Sequence, residues 1–295
     1  MNKMLAVSVI AMVFSVGAAV APVSGYRLVT PSQVYAEVIE EGVISADGFG
    51  VMPADKSASQ AKLLARRAAI VDAQRNLVEI IQGVAVDAET AVSDMMTGSD
   101  VVRTKVSGLL KGAKIISEGV QADGTYMVTM EVDKFGASSL ASVVMEQKAP
   151  VHPVAVVEPS RKEVKNYEKA NVGNPQVGTY TGLVIDARGM DLAPTFCPNI
   201  FDTNGRGIYG VENVDRDYAA NNGIVEYAVG NARWSEVESG RSRAGSIPLI
   251  VKAVEVKAAH VNKCDVVISV EDANKILVEN QRSGFMNRYA VVFEK

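Results

Sequence analysis

The stretch Val43-Ile44-Ser45-Ala46-Asp47-Gly48-Phe49-Gly50-Val51, followed after Pro53 by Ser57 and an alanine-rich run to Gly83, decides the fold of the first half of the chain. Residues 43–51 predict a strand that turns at Pro53. Ser57 and Gln60 have the spacing of a capping box, which places a helix start at 57. From there Ala61, Ala65, Ala69, Ala73, Leu77 and Ile81 recur every four residues along one helix face, and Gly83 supplies a stop after Gln82. Small side chains on that ridge allow a close approach to a sheet, and Leu64, Ala68 and Val71 are expected to widen the apolar face. Gly48-Phe49-Gly50 reads as a tight turn. As a phosphate-cradling loop it fails, because the third glycine of the fingerprint would fall at Pro53.

Working outward, Val102, Val106, Leu109 and Leu110 predict a second helix over 100–110. Residues 113–120 and 126–132 predict two strands joined at Asp123-Gly124, a hairpin signal. Tyr126, Val128, Met130 and Val132 alternate with Met127, Thr129 and Glu131, so one face is apolar and the other mixed. With a third helix over 137–145, residues 40–146 form an α+β domain, a long helix laid on an antiparallel sheet. Pro150, Pro153, Pro159 and Pro175 punctuate a charged stretch, so 147–176 is expected to be a solvated linker. Residues 177–295 form a strand-rich C-terminal α+β domain. Its expected strands are 182–187, 248–256, 265–270 and 289–293, with a turn at Asn204-Gly205 ahead of Ile208-Tyr209. A short helix over 271–281 turns Ala273, Ile276 and Leu277 inward.

The N-terminus carries Lys3 and then an uncharged apolar run over 4–21, which reads as a secretory signal or, if left uncleaved, a membrane span. Cleavage is expected after Ala36, which makes 1–36 the signal peptide, with Gly25 and Ala21 as the alternatives. The protein is therefore expected to be exported. The formal net charge is −4, and without a concentrated basic stripe nucleic acid is excluded as a partner.

Candidate chemistry is sparse. His152 and His260 lie apart, which argues against zinc. Asp215, Asp217, Asn221 and Asn222 supply oxygens but lack the spacing and glycine of a calcium loop, so a solvated loop is expected there. Cys197 has no adjacent base and no serine sits in a nucleophile elbow. Trp234 is expected in the core, and Asp186 with Arg188 either forms a buried ion pair or binds a ligand. Cys197 and Cys264 are the candidate disulfide of an exported protein, worth about 4 kcal/mol if unstrained. Asp72, Arg75 and Glu79 share a helix flank, either as an ion-pair ladder or as a docking surface. No catalytic residue, cofactor site or metal site is expected.

Gly48-Phe49-Gly50, Ala61, Ala65, Ala68-Ala69, Asp72-Ala73, Arg75, Leu77, Glu79, Gly83, Gly112, Ile115 and Gly124-Thr125-Tyr126 together resemble the Lpp-twenty lipoprotein-like family. That domain is also similar to the N-terminal part of the flagellar assembly protein FlgT. The resemblance implies a non-enzymatic protein of the periplasm or outer membrane, with envelope or flagellar basal-body proteins, or a second copy, as partners. In one respect the sequence departs from the family: no cysteine near the N-terminus offers a lipid anchor. Membrane attachment is then expected only if the signal segment stays uncleaved. Strand 126–132 is short enough to be completed by a neighbouring chain. The alternative function is capture of a small envelope ligand by the C-terminal domain.

Overall fold

The computed structural model describes residues 42–229, 241–258 and 263–295. The signal segment 1–36, Trp234 and His260 lie outside the described residues. The chain divides into two units, the first made of residues 42–84 and Val92–Lys134, the second of Ala85–Ala91 and Phe135–Lys295.

In the first unit β1 (Val43–Val51), α1 (Ala58–Gly83), α2 (Val92–Gly98), α3 (Asp100–Lys111), β2 (Lys114–Val120) and β3 (Thr125–Asp133) follow one another. The sheet is antiparallel with order β1-β3-β2. Ser57 caps α1 by accepting a hydrogen bond from the Gln60 amide at 3.5 Å. Gly83 is not a left-handed stop: the helix runs through it and ends on extended Val84, whose amide returns to the Ile81 carbonyl. Ala61, Ala65, Ala69, Ala73, Leu77 and Ile81 are buried, and α1 packs across β1 and β3. They face Ile44, Ala46, Tyr126, Val128, Met130 and Val132, which are buried as well. The period-four ridge and the period-two strand thus build one core.

Three expectations change here. Gly48 and Gly50 are strand residues, not a tight turn. A methyl at Gly48 would overlap the Ala69 carbonyl and the Ala73 amide, and one at Gly50 the Ala65 carbonyl. The glycine pair and the alanine ridge together let helix backbone rest directly on strand backbone. Because contact is that close, only the ridge is covered, and Leu64, Ala68 and Val71 are exposed instead of widening the buried face. Strand 126–132 is also not an edge. As β3 it pairs with β1 on one side and β2 on the other, so no neighbouring chain can complete it. A proline at Val128 would break this central ladder and so unfold the sheet rather than test assembly.

The second unit contains α4 (Leu140–Lys148), α5 (Arg161–Ala170), β4 (Gly182–Asp186), β5 (Ile200–Asp202), β6 (Gly207–Tyr209), α6 (Arg216–Asn222) and β7 (Glu226–Ala228). It continues with β8 (Pro248–Lys252), β9 (Glu255–Ala258), β10 (Lys263–Ile268), α7 (Val270–Ser283) and β11 (Val291–Glu294). One sheet is fully parallel, ordered β7-β11-β4-β8. The other is mixed, ordered β6-β5-β10-β9. Strands β4 and β11 are buried nearly throughout, as parallel strands covered on both faces are, which is why their sequences are short unbroken apolar runs. The expected strand 248–256 is two strands, β8 and β9, one in each sheet. Gly205, at a φ of 80°, closes the predicted Asn204-Gly205 turn.

The third helix, expected over 137–145 within the first domain, is α4 of the second unit. Ser139 and Ser142 form its reciprocal cap and it packs on α6, so the boundary falls at Lys134 rather than 146. The 147–176 stretch is not wholly a linker. Ser160 and Glu163 make a reciprocal capping box that starts α5. The 215–222 loop is likewise a helix, α6, with Asp215 accepting from the Asp217 and Tyr218 amides at 3.0 Å.

Candidate docking edge and charged sites

Strand β1 is one edge of the first sheet, and α1 closes it. The Asp72 carboxylate accepts from the Phe49 amide at 2.9 Å, and Asn76 Nδ2 donates to the Asp47 carbonyl at 2.7 Å. These backbone groups point away from β3, so two helix side chains occupy the positions a further strand would bond. Asp72 is therefore committed to the fold. Arg75 and Glu79 are exposed, and no ion pair joins them or Asp72 among the described residues. Asn76 was not singled out from sequence, although its place one turn after Asp72 on the same helix flank is a usable signal.

The opposite edge, β2, is different. It lies outside the main packing of α1, which rests on β1 and β3, and every residue from Lys114 to Val120 is exposed or half-buried. Ile116 is 54% exposed, with Ile115 and Val120 also exposed. A register shift between Ile115 and Ser117 and the Lys114–Asp133 ion pair at 2.8 Å blunt its start. Its end is regular. The Gln121 amide bonds the Thr125 carbonyl, so by alternation Glu118 and Val120 turn their backbone amides outward. Glu118 also holds Arg66 of α1 at 2.7 Å. Sequence reasoning chose the wrong strand because strand order is not written in hydrophobic period.

In the second unit the carboxyl ends of the parallel strands carry a charged row. Glu294 of β11 and Lys252 of β8 flank Asp186 of β4 in register. Arg188 grips Asp186 with two nitrogens, at 2.9 and 2.8 Å, and approaches Glu294 at 3.4 Å. The Arg188 hydrogen bond, outweighing the effect of partial burial, holds the Asp186 carboxyl below its usual range. Of the two expectations for Asp186 and Arg188, the structure makes the ion pair, but not a buried one, since the Arg188 side chain is 53% exposed. Cys197 and Cys264 are buried free thiols here, not a disulfide, and burial pushes both well above the ordinary thiol range.

A groove of about 610 Å³ runs between α5, α7 and the extended residues 155–158, lined by Val156, Val164, Leu277, Asn280 and Arg282 among others. Arg282 and Glu168 form an ion pair beside it at 2.8 Å. Beneath α5, Glu279 of α7 is fully buried and accepts from the Tyr167 hydroxyl and the Gly178 amide, each at 2.6 Å. Burial first, and the Glu279 hydrogen bond second, push the Tyr167 phenol well above its ordinary range. An unfolded phenol titrates near 10, so above about pH 10 the unfolded chain gives up a proton that the folded chain retains. The stabilisation is thus fully present below that pH and falls as pH rises. Urea unfolding from pH 8 upward should show the stability advantage of the native chain over Tyr167→Phe shrinking above about pH 10.

These features define a two-unit α+β protein with one closed and one open strand edge in its first unit. Residues 52–133 match the LPP20 lipoprotein family, so the first unit is an Lpp-twenty-like domain. The LPP20 family suggests a secreted or envelope-associated, lipoprotein-like protein. The match begins after β1, so the glycine pair lies outside it. Residues 182–293 match the second domain of Treponema pallidum Tp0624. No curated protein matches the chain.

Proposed function

We propose that the chain is a non-enzymatic protein of the periplasm or outer membrane that assembles with other envelope proteins, flagellar basal-body proteins among them. It does so by taking an extended segment of the partner onto the open edge of β2. The asymmetry of the two edges carries this reading: Asp72 and Asn76 close β1, whereas Glu118 and Val120 leave outward amides beside exposed Ile116. The Lpp-twenty-like domain supports the envelope setting.

In the full chain, Val120→Pro removes only an outward amide, and Val120→Lys places a charge on the edge, the device by which natural sheets block strand addition. Both variants should keep their circular dichroism and lose envelope partners recovered by crosslinking. Full recovery of partners by folded Val120→Lys would defeat the reading. A second reading, capture of a small envelope molecule, is favoured by the groove beside α5 and α7. It takes over if the native chain yields no crosslinked protein but releases a small molecule on denaturation.

A further inference from the structure

We propose that the outer face of α1 lies on an anionic lipid surface. Helix α1 is apolar on two sides. Its inner side is the buried alanine ridge, and its outer side carries Leu63, Leu64 and Val71 at 64, 45 and 57% exposure, with exposed Ala68 between them. A surface helix of a globular protein is normally apolar on one side only, and apolar character all round marks a helix covered on both. The fold covers only the ridge.

The charges choose the cover. From Ala58 to Val71 the helix holds Lys62, Arg66 and Arg67 and no acid, in a chain whose formal net charge is −4. Residues 64, 68, 71 and 75 recur at intervals of four, three and four, so Arg75 extends the stripe, and Arg67 borders it one turn from Leu63 and Leu64. Asp72, the first acid after these bases, spends its carboxylate on the Phe49 amide. Arg66 is paired with Glu118 and Lys62 lies on the ridge side, but Arg67 and Arg75 are exposed on the outer side, so their aliphatic stems can lie along apolar surface while their charges reach phosphate. Aliphatic side chains interleaved with cations of one sign are the composition of a helix lying in a bilayer interface. At 26 residues, α1 is about 39 Å long and offers several turns for such contact. The inference is independent of the β2 edge.

The test is flotation of the purified full chain with vesicles of phosphatidylcholine containing phosphatidylglycerol, against vesicles of phosphatidylcholine alone. The chain should favour the anionic vesicles and lose affinity as salt rises. Arg67→Gln and Arg75→Gln should each weaken binding about fivefold. Leu64→Gln with Val71→Gln should weaken it at least as much while circular dichroism and the melting temperature hold, because both positions are exposed. The apolar run at 4–21 would bind vesicles without regard to any of these substitutions, so variants that bind like the native chain overturn the proposal. Equal binding to both vesicle types overturns it too, as does a Leu64→Gln, Val71→Gln variant that loses a crosslinked protein while keeping its vesicle binding.

Discussion

Gly50→Ala should destabilise the first unit by about 3 kcal/mol, and Gly48→Ala by a similar amount, because neither added methyl has anywhere to go. Each Cβ would fall inside contact distance of α1 backbone, against the Ala65 carbonyl at position 50 and the Ala69 carbonyl and Ala73 amide at position 48. A clash with a flexible side-chain tip is relieved by rotation. A clash with helix backbone is relieved only by lifting the helix, and lifting α1 uncovers Leu77, Ile81, Val128 and Met130 together. Hydrogen exchange should show protection lost across β1, α1 and β3 and kept in β4 and β11. Gly119→Ala is the control: its Cβ would meet nothing within 4 Å, and the cost should stay under about 1 kcal/mol. Native-like protection of β1 in Gly50→Ala would mean that the helix and strand are not in backbone contact.

Glu279→Ala should cost the second unit about 3 kcal/mol, seen as a fall of roughly 6–12 °C in its melting temperature. The carboxylate is fully buried and serves two donors at 2.6 Å, the Tyr167 hydroxyl from α5 and the Gly178 amide from the turn ahead of β4. Alanine leaves both donors without their acceptor and opens a void beside them. Glu279→Gln keeps the shape but turns one acceptor into a donor that faces a donor, so it should recover only part of the loss. If Glu279→Ala melts within a degree of the native chain, the α5 and α7 contact is not held by this carboxylate.

Much of the first unit was legible because its signals are local. The strand at 43–51, the Ser57 cap and the period-four ridge from Ala61 to Ile81 each follow from neighbours within a few residues, and each stands in the structure. The alternation from Tyr126 to Val132 correctly gave the buried face of β3. The same locality explains the failures. Leu64, Ala68 and Val71 fit the apolar arc of a helix, but how wide an arc is covered depends on how closely the sheet approaches, and two glycines on another element set that distance. Helix α5 was hidden by its charges, although the Ser160 and Glu163 spacing was there to be read.

The sequence by itself determined the helix and strand periods, the cap at Ser57, the inward faces of α1 and β3, and the family resemblance of the first domain. Tertiary structure alone decided that β3 is central, that β1 is closed by Asp72 and Asn76 while β2 stays open, and that the Asp186 and Arg188 pair stands beside Glu294. The division has one physical cause. Period and capping are properties of neighbouring residues, whereas strand order and edge satisfaction depend on which distant backbone groups find partners, and the cost of leaving them unpaired is settled only when the whole sheet has formed.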